Sequence, residues 1–289
     1  MQYVVHVPVC DLRREPSSHS NQIKDPLQES QLLYGERLLV KEMRGDWAFI
    51  EALEQKKYMR EGCWKGYPGW VKASQITPVQ EFPDYNLVVQ LPWVQFDRLN
   101  LSFGTHLKGI QKNENIWTIV LADQSLHEIS AHAVSEIISH NRLSLANRLA
   151  ILHQGLNFLG SPYLWGGRSA FNRESNFITS MDCSGLTNLL YRVQGFEIPR
   201  DAHDQRRQCQ EIEFEVLQPA DFIFTADIES SERVGHVMLY KEGDTLLEAS
   251  LDTGCTRFIT GKEKLGKPLS EIKSGEHIGK FIVWFGSIL

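Results

Sequence analysis

Cys183, His236 and Glu248 are the residues of this chain whose types and spacing could do nucleophilic chemistry. Cys183 opens a run in which Leu186, Leu189, Leu190 and Val193 recur at helical spacing before Gly195. That spacing lays an apolar stripe on a helix facing a core, with Cys183 at the helix start. The unpaired amides and the positive dipole end found there favour a thiolate. A thiolate is the species that attacks a carbonyl carbon. Cys10, Cys63, Cys209 and Cys255 have no such setting and read as small hydrophobes.

A base for this cysteine lies in Val234-Gly235-His236-Val237-Met238-Leu239-Tyr240. The apolar run after His236 ends at Lys241-Glu242-Gly243-Asp244, which reads as a buried strand entering a hairpin turn. Imidazole titrates near neutrality, which suits it to take a thiol proton. The chain returns through Thr245-Leu246-Leu247-Glu248-Ala249-Ser250, so a hairpin brings Glu248 back beside His236. A carboxylate there can hold the imidazole in one tautomer and stabilise the imidazolium. A solvated edge-strand glutamate is the competing reading.

The motifs around these residues resemble an NlpC/P60 cysteine peptidase. Tyr163-Leu164-Trp165-Gly166-Gly167 matches that family's aromatic-glycine loop, Asp182-Cys183-Ser184-Gly185 its nucleophile and Gly235-His236-Val237 its base. Pro219-Ala220-Asp221-Phe222-Ile223-Phe224 matches a further strand, with Ala220 where the family usually has glycine. The third catalytic position is most often histidine in the family, and here it is Glu248. The stretch from Arg168 to Met181 is longer than usual. The resemblance covers roughly the second half of the chain and implies an α+β, papain-like catalytic domain over 141–289. Leu145, Leu149, Leu152, Leu156 and Leu159 predict its first amphipathic helix.

A chain of 289 residues suggests two or three domains. Short strands are predicted in Tyr3–Val7, Gly35–Lys41, Gly45–Ile50 and Tyr67–Val71, separated by Gly, Asp and Pro turns. With Asp11-Leu12-Arg13-Arg14-Glu15-Pro16, Leu33-Tyr34-Gly35-Glu36, Gly45-Asp46-Trp47 and Gly69-Trp70-Val71, residues 1–79 resemble a bacterial SH3 (SH3b) domain. Strand candidates at Asn86–Val89, Thr105–Ile110 and Ile116–Leu121 make residues 80–140 a divergent second one. The expected architecture is therefore multidomain, two small β-barrel SH3b-like domains followed by the catalytic domain.

The composition, 42% hydrophobic and 23% charged, is that of a globular protein. With 30 basic against 36 acidic residues and a net charge of −6, there is no electrostatic case for nucleic acid or anionic lipid. Five cysteines with no paired spacing make a disulfide framework or zinc site unexpected. No apolar run is long enough to span a membrane, and Met1-Gln2-Tyr3-Val4-Val5-His6-Val7 lacks the features of a signal peptide. Read alone, these features predict a cytoplasmic location, and the chemistry needs no metal or organic cofactor.

The order of two SH3b domains before NlpC/P60 resembles the γ-D-glutamyl-L-diamino acid endopeptidases. That resemblance implies hydrolysis of peptidoglycan stem peptides that carry a free N-terminal L-alanine, in wall recycling or remodelling. It makes Asp201, after Arg200, the residue that binds the free amine. It places Tyr163, Trp165 and Ser184 beside the substrate, with Tyr67 and Glu29 reaching the groove from the first SH3b domain. Two of these residues have a competing structural reading: Asp201 as a helix N-cap, less favoured once the motif is in place, and Trp165 packed beneath its loop, which is favoured over substrate contact. An acyltransferase of the same fold, or a module that only binds wall fragments, are the competing functions. A pure binder would be expected to lose Cys183 or His236, and both are present.

Overall fold

The computed structural model describes residues 1–18, 24–96, 99–140, 142–230 and 233–288. It divides into two compact units: Met1–Ser139 with Leu164–Met181, and His140–Tyr163 with Asp182–Leu289.

The first unit is largely β. Seven antiparallel strands follow the order Gln28–Leu33, Val9–Arg13, Trp64–Lys72, Trp47–Tyr58, Arg37–Arg44, Gln2–Val5, Ile76–Pro78. Alternation along Trp47–Tyr58 puts Ala48, Ile50 and Ala52 inward, against Leu12, Leu32, Leu38 and Val71. Five more strands, ordered Leu126–Ser130, Ile116–Val120, His106–Asn113, Leu87–Val89, Val134–Glu136, enclose a second core around Leu101, Leu107, Trp117 and Ile119. Closed barrels were expected. Among the described residues both ladders are open, with no pairing between their end strands. Twist lets a sheet curl over a core while its edges stay unpaired.

The long stretch after the aromatic-glycine loop packs as part of this β unit. Its stem closes on itself through a bridge between Arg168 and Met181 and a hydrogen bond from Ser169 N to Ser180 O (3.2 Å). Its body is held by buried polar groups of the sheet. Arg168 lies 2.5 Å from Glu36, and Gln31 Oε1 accepts from Ser169 Oγ at 2.7 Å. Gln31 Nε2 donates to Ile178 O at 2.6 Å. Gly166 adopts φ +68, and a Cβ on Gly167 would lie 2.4 Å from Ser180 O. Both positions therefore need glycine.

In the second unit, antiparallel strands run Gln210–Ile212, Phe281–Ser287, Phe222–Asp227, Val234–Glu242, Thr245–Ser250, Cys255–Thr260. Glu276–Ile278 pairs off the path with Phe281–Ser287. Helices span Leu145–Gly155, Cys183–Val193, Ala202–Gln208 and Gly261–Leu265. The Cys183 helix is buried on every side rather than along one stripe, so its polar residues find internal partners. Thr187 donates to Gln205, Asn188 to Ile198 O and Tyr191 to Ala220 O.

The leucine pattern of the first helix points the other way from the expected core stripe. Ile151, Leu152 and Gly155 are buried with Arg148, while Leu145, Leu149, Leu156 and Leu159 are exposed. Arg148 decides the rotation: it donates to Asp221 at 2.6 Å and to Pro219 O at 3.0 Å, which turns its face inward. Ala220 holds φ +67, the left-handed conformation that glycine ordinarily supplies. No described helix is long and apolar enough to cross a membrane.

Candidate active site

Asp182 starts the Cys183 helix. Its carboxylate accepts from Gly185 N at 2.6 Å, an N-cap that satisfies one of the helix's orphan amides. Arg200, 1% exposed, grips the same carboxylate through two nitrogens at 3.1 and 2.8 Å and donates to Ser184 Oγ at 2.9 Å. Cys183 is thus the first residue of a helix whose start is pinned by a buried ion pair. Asp182 and Arg200 were named only as parts of motifs, because their pairing joins segments apart in sequence.

His236 is the third residue of its strand and pairs with Thr225 of the neighbouring one. The hairpin register matches Leu239 with Leu247, so Glu248 falls diagonally from His236 on the same side of the pleat. Their side chains meet, His236 Nε2 to Glu248 Oε2, at 2.7 Å. The Cys183 thiol lies near enough to the ring to raise the imidazole pKa. The His236 side chain is 18% exposed and that of Glu248 is fully buried.

Glu248 carries two further partners that sequence reasoning missed. Arg257 faces it directly across the next strand pair and holds Oε1 through Nε (3.0 Å) and Nη2 (2.9 Å). Lys264, on the short helix after that strand, reaches Oε2 at 2.9 Å. The strand-face alternation of Glu248 and Arg257 was available as a signal, but only once their register was known.

Burial alone would depress the His236 pKa, but the Cys183 thiol and the Glu248 carboxylate outweigh it and lift the group from its ordinary 6.5 to about 9. For Glu248 burial raises the pKa, and His236 and Lys264 overcome it, leaving about 2. The His236 contribution to stability is complete below 6.5 and disappears as pH rises through about 9. That of Glu248 is complete above 4.5 and disappears as pH falls through about 2. Thermal denaturation of wild type and His236→Gln between pH 6 and 10 should show wild type losing its advantage on the alkaline side. A constant difference across that window contradicts the assignment.

The other expected site residues lie as follows. Tyr163 is buried in the second unit; its N donates to Gly254 O at 2.8 Å. Burial first, then the nearby Cys183, raises its hydroxyl well above the ordinary tyrosine value, so it stays a donor. The Ser184 hydroxyl is engaged by Arg200 and lies 3.3 Å from Asp182. Asp201 occupies the N-cap position of Ala202–Gln208, but its side chain makes no capping hydrogen bond there. In the first unit, Tyr67 donates to Glu29 Oε2 at 2.9 Å, Arg14 binds Oε1 at 2.5 Å, and Lys57 Nζ lies 3.8 Å over the Tyr67 ring. Trp165 is 36% exposed, with Lys24 Nζ 5.1 Å from the ring centroid. An indole face attracts a cation most effectively when it is open to it.

A cysteine at a helix start, beside a carboxylate-backed histidine, is an arrangement suited to nucleophilic thiol chemistry. Residues 160–262 match the NlpC/P60 family, so the chain carries an NlpC/P60 domain. A gamma-D-glutamyl-L-lysine dipeptidyl-peptidase of Bacillus cereus is 29% identical over 224 residues, 73% of this chain and 64% of that protein. The alignment thus spans slightly less than two thirds of that relative's length. The Bacillus subtilis protein of the same name is 28% identical over 234 residues, 78% of this chain and 73% of that protein. A crystal structure of an NlpC/P60 family protein from Bacillus cereus has the same fold, with TM-score 0.80 over 100% of both chains at 21% identity.

Proposed function

We propose that the protein hydrolyses the γ-D-glutamyl-diamino acid bond of peptidoglycan stem peptides and prefers a free N-terminal L-alanine. The observation that carries this reading is the 2.7 Å contact of His236 with Glu248, beside Cys183 at a helix start. The names of the two Bacillus relatives supply the bond.

Cys183 Sγ attacks the γ-carbonyl carbon of D-glutamate while its proton resides on His236. The oxyanion is met by the Cys183 amide and the Tyr163 hydroxyl. His236 passes its proton to the departing amine as the carbon–nitrogen bond breaks, leaving a thioester. His236 then takes a proton from water, whose oxygen attacks the thioester and frees Cys183. Glu248 keeps the imidazolium favourable in both halves. Asp201 binds the substrate amine, and Ser184 lies beside the substrate. The front residues 1–79 and 80–140 are SH3b-like domains that precede the catalytic domain 141–289.

Incubation with L-Ala-γ-D-Glu-L-Lys and its diaminopimelate counterpart, followed by mass spectrometry, tests the reading. Release of L-Ala-D-Glu and the free diamino acid is expected. Intact peptides after prolonged incubation with reactive enzyme would remove the assigned bond. Transfer of the acyl group to an added amine, without hydrolysis, would identify an acyltransferase instead.

A further inference from the structure

Glu248 has surroundings that an orienting carboxylate alone does not require. It is fully buried, yet it meets three cationic or cation-forming groups from three different elements: His236, Arg257 and Lys264. A buried carboxylate is stable as an anion only if paired and hydrogen-bonded. Arg257 saturates Oε1 with two nitrogens, which leaves Oε2 for His236. Lys264, with 10% of its side chain exposed, shares that second oxygen with the imidazole.

We propose that Arg257 and Lys264 are positioning residues that hold Glu248 ionised, aim Oε2 at His236 and so set the basicity of the catalytic imidazole. The proposal rests on the catalytic reading above for the role of His236. It explains how glutamate serves at this position: Arg257 fixes the carboxylate's rotation, and Lys264 limits how strongly it draws a proton onto the ring.

Titratable groups reach the pair's strands from several elements; from the helix Ala202–Gln208, His203 Nδ1 accepts from Val234 N at 3.4 Å on the His236 strand. From the Cys183 helix comes the Cys183 thiol, with Tyr163 beside it and Asp182 and Arg200 paired behind. The strand Cys255–Thr260 supplies Arg257, which Glu263 also feels, and the short helix supplies Lys264. Asp252, exposed on the intervening turn, lies 4.0 Å from Lys264. Lys264 acts on His236 as a like charge and opposes its protonation. Removing Lys264 therefore raises the imidazole pKa, whereas removing the Glu248 charge lowers it.

The distinguishing case is the double variant. Glu248→Gln alone leaves Lys264 buried beside an imidazolium with no anion between them. Taking Lys264 away as well relieves that repulsion, so Glu248→Gln/Lys264→Met should be about tenfold more active than Glu248→Gln, a non-additivity expected only of residues in one network. Lys264→Met and Arg257→Met are compared with the charge-preserving Lys264→Arg and Arg257→Lys, after thermal melts have established that each is folded.

Two readouts are used. The His236 ring nitrogens are titrated by NMR. Iodoacetamide alkylation of Cys183 is followed against pH by peptide mass spectrometry, which needs no assumption about the peptide substrate. The expected results are an upward shift of the His236 titration in Lys264→Met, a downward shift in Glu248→Gln, return towards wild type in the conservative variants, and faster alkylation in the double variant than in Glu248→Gln. A His236 titration unmoved by Lys264→Met and Arg257→Met, or strictly additive alkylation rates, overturns the proposal. Titrations that shift as expected in an enzyme that cuts no γ-glutamyl peptide would leave the proposal standing and remove only the substrate.

Discussion

Cys183→Ala is expected to abolish turnover, with a loss on the order of 10⁴-fold or more, because no other group forms the thioester. The fold should survive. Cys183 is buried at the first helical position, and alanine fills most of its volume without touching the Asp182 cap or the Arg200 pair. Such a change costs about 1 kcal/mol or less. The melting curve should therefore stay close to wild type while the peptide assay falls to background. Cys209→Ala and Cys255→Ala serve as controls and should retain activity. Burial pushes the Cys209 thiol up, away from a reactive thiolate. Wild-type rates in Cys183→Ala would end the cysteine mechanism outright.

The second large effect is discrimination for a free amine, expected at about a hundredfold in kcat/KM between L-Ala-γ-D-Glu-diaminopimelate and its N-acetyl form. A carboxylate prepared for an ammonium partner loses on the order of 3 kcal/mol when that partner is absent. The candidate is Asp201, which follows Arg200 at the N-cap position of Ala202–Gln208. Asparagine caps as well as aspartate, so Asp201→Asn removes the charge while leaving the helix start intact. The variant should lose most of its rate on the free peptide and little on the acetylated one, with an unchanged melting temperature. Equal rates of wild type on both peptides would make Asp201 a helix-start residue alone and open the enzyme to stem peptides still attached to muramic acid.

Much of the candidate site was legible because it is local. The helix from Cys183 follows from leucine spacing and a capping aspartate, and both are properties of a dozen consecutive residues. The His236–Glu248 contact needs only a hairpin, whose turn and two apolar runs are contiguous. The β character of the front half was likewise visible, since strand spacing and turn residues repeat along it.

Spacing also determined that the first helix of the second unit would be amphipathic, but not which way it faces. Leucine count favoured the stripe through Leu145 and Leu149, whereas the buried Arg148–Asp221 pair turns the helix so that those leucines meet solvent. Only tertiary structure decided that the stretch Leu164–Met181 packs with the β unit, because Gln31 and Glu36 that hold it lie far away in sequence. The same holds for Arg257 and Lys264 at Glu248. Their charges are plain in the chain, but a charged residue on a strand or a short helix reads as solvated until register and burial are known. A sequence determines periodicity and local caps because neighbours along the chain must be neighbours in space. Which buried charges meet across strands and helices is decided only when the whole core has closed around them.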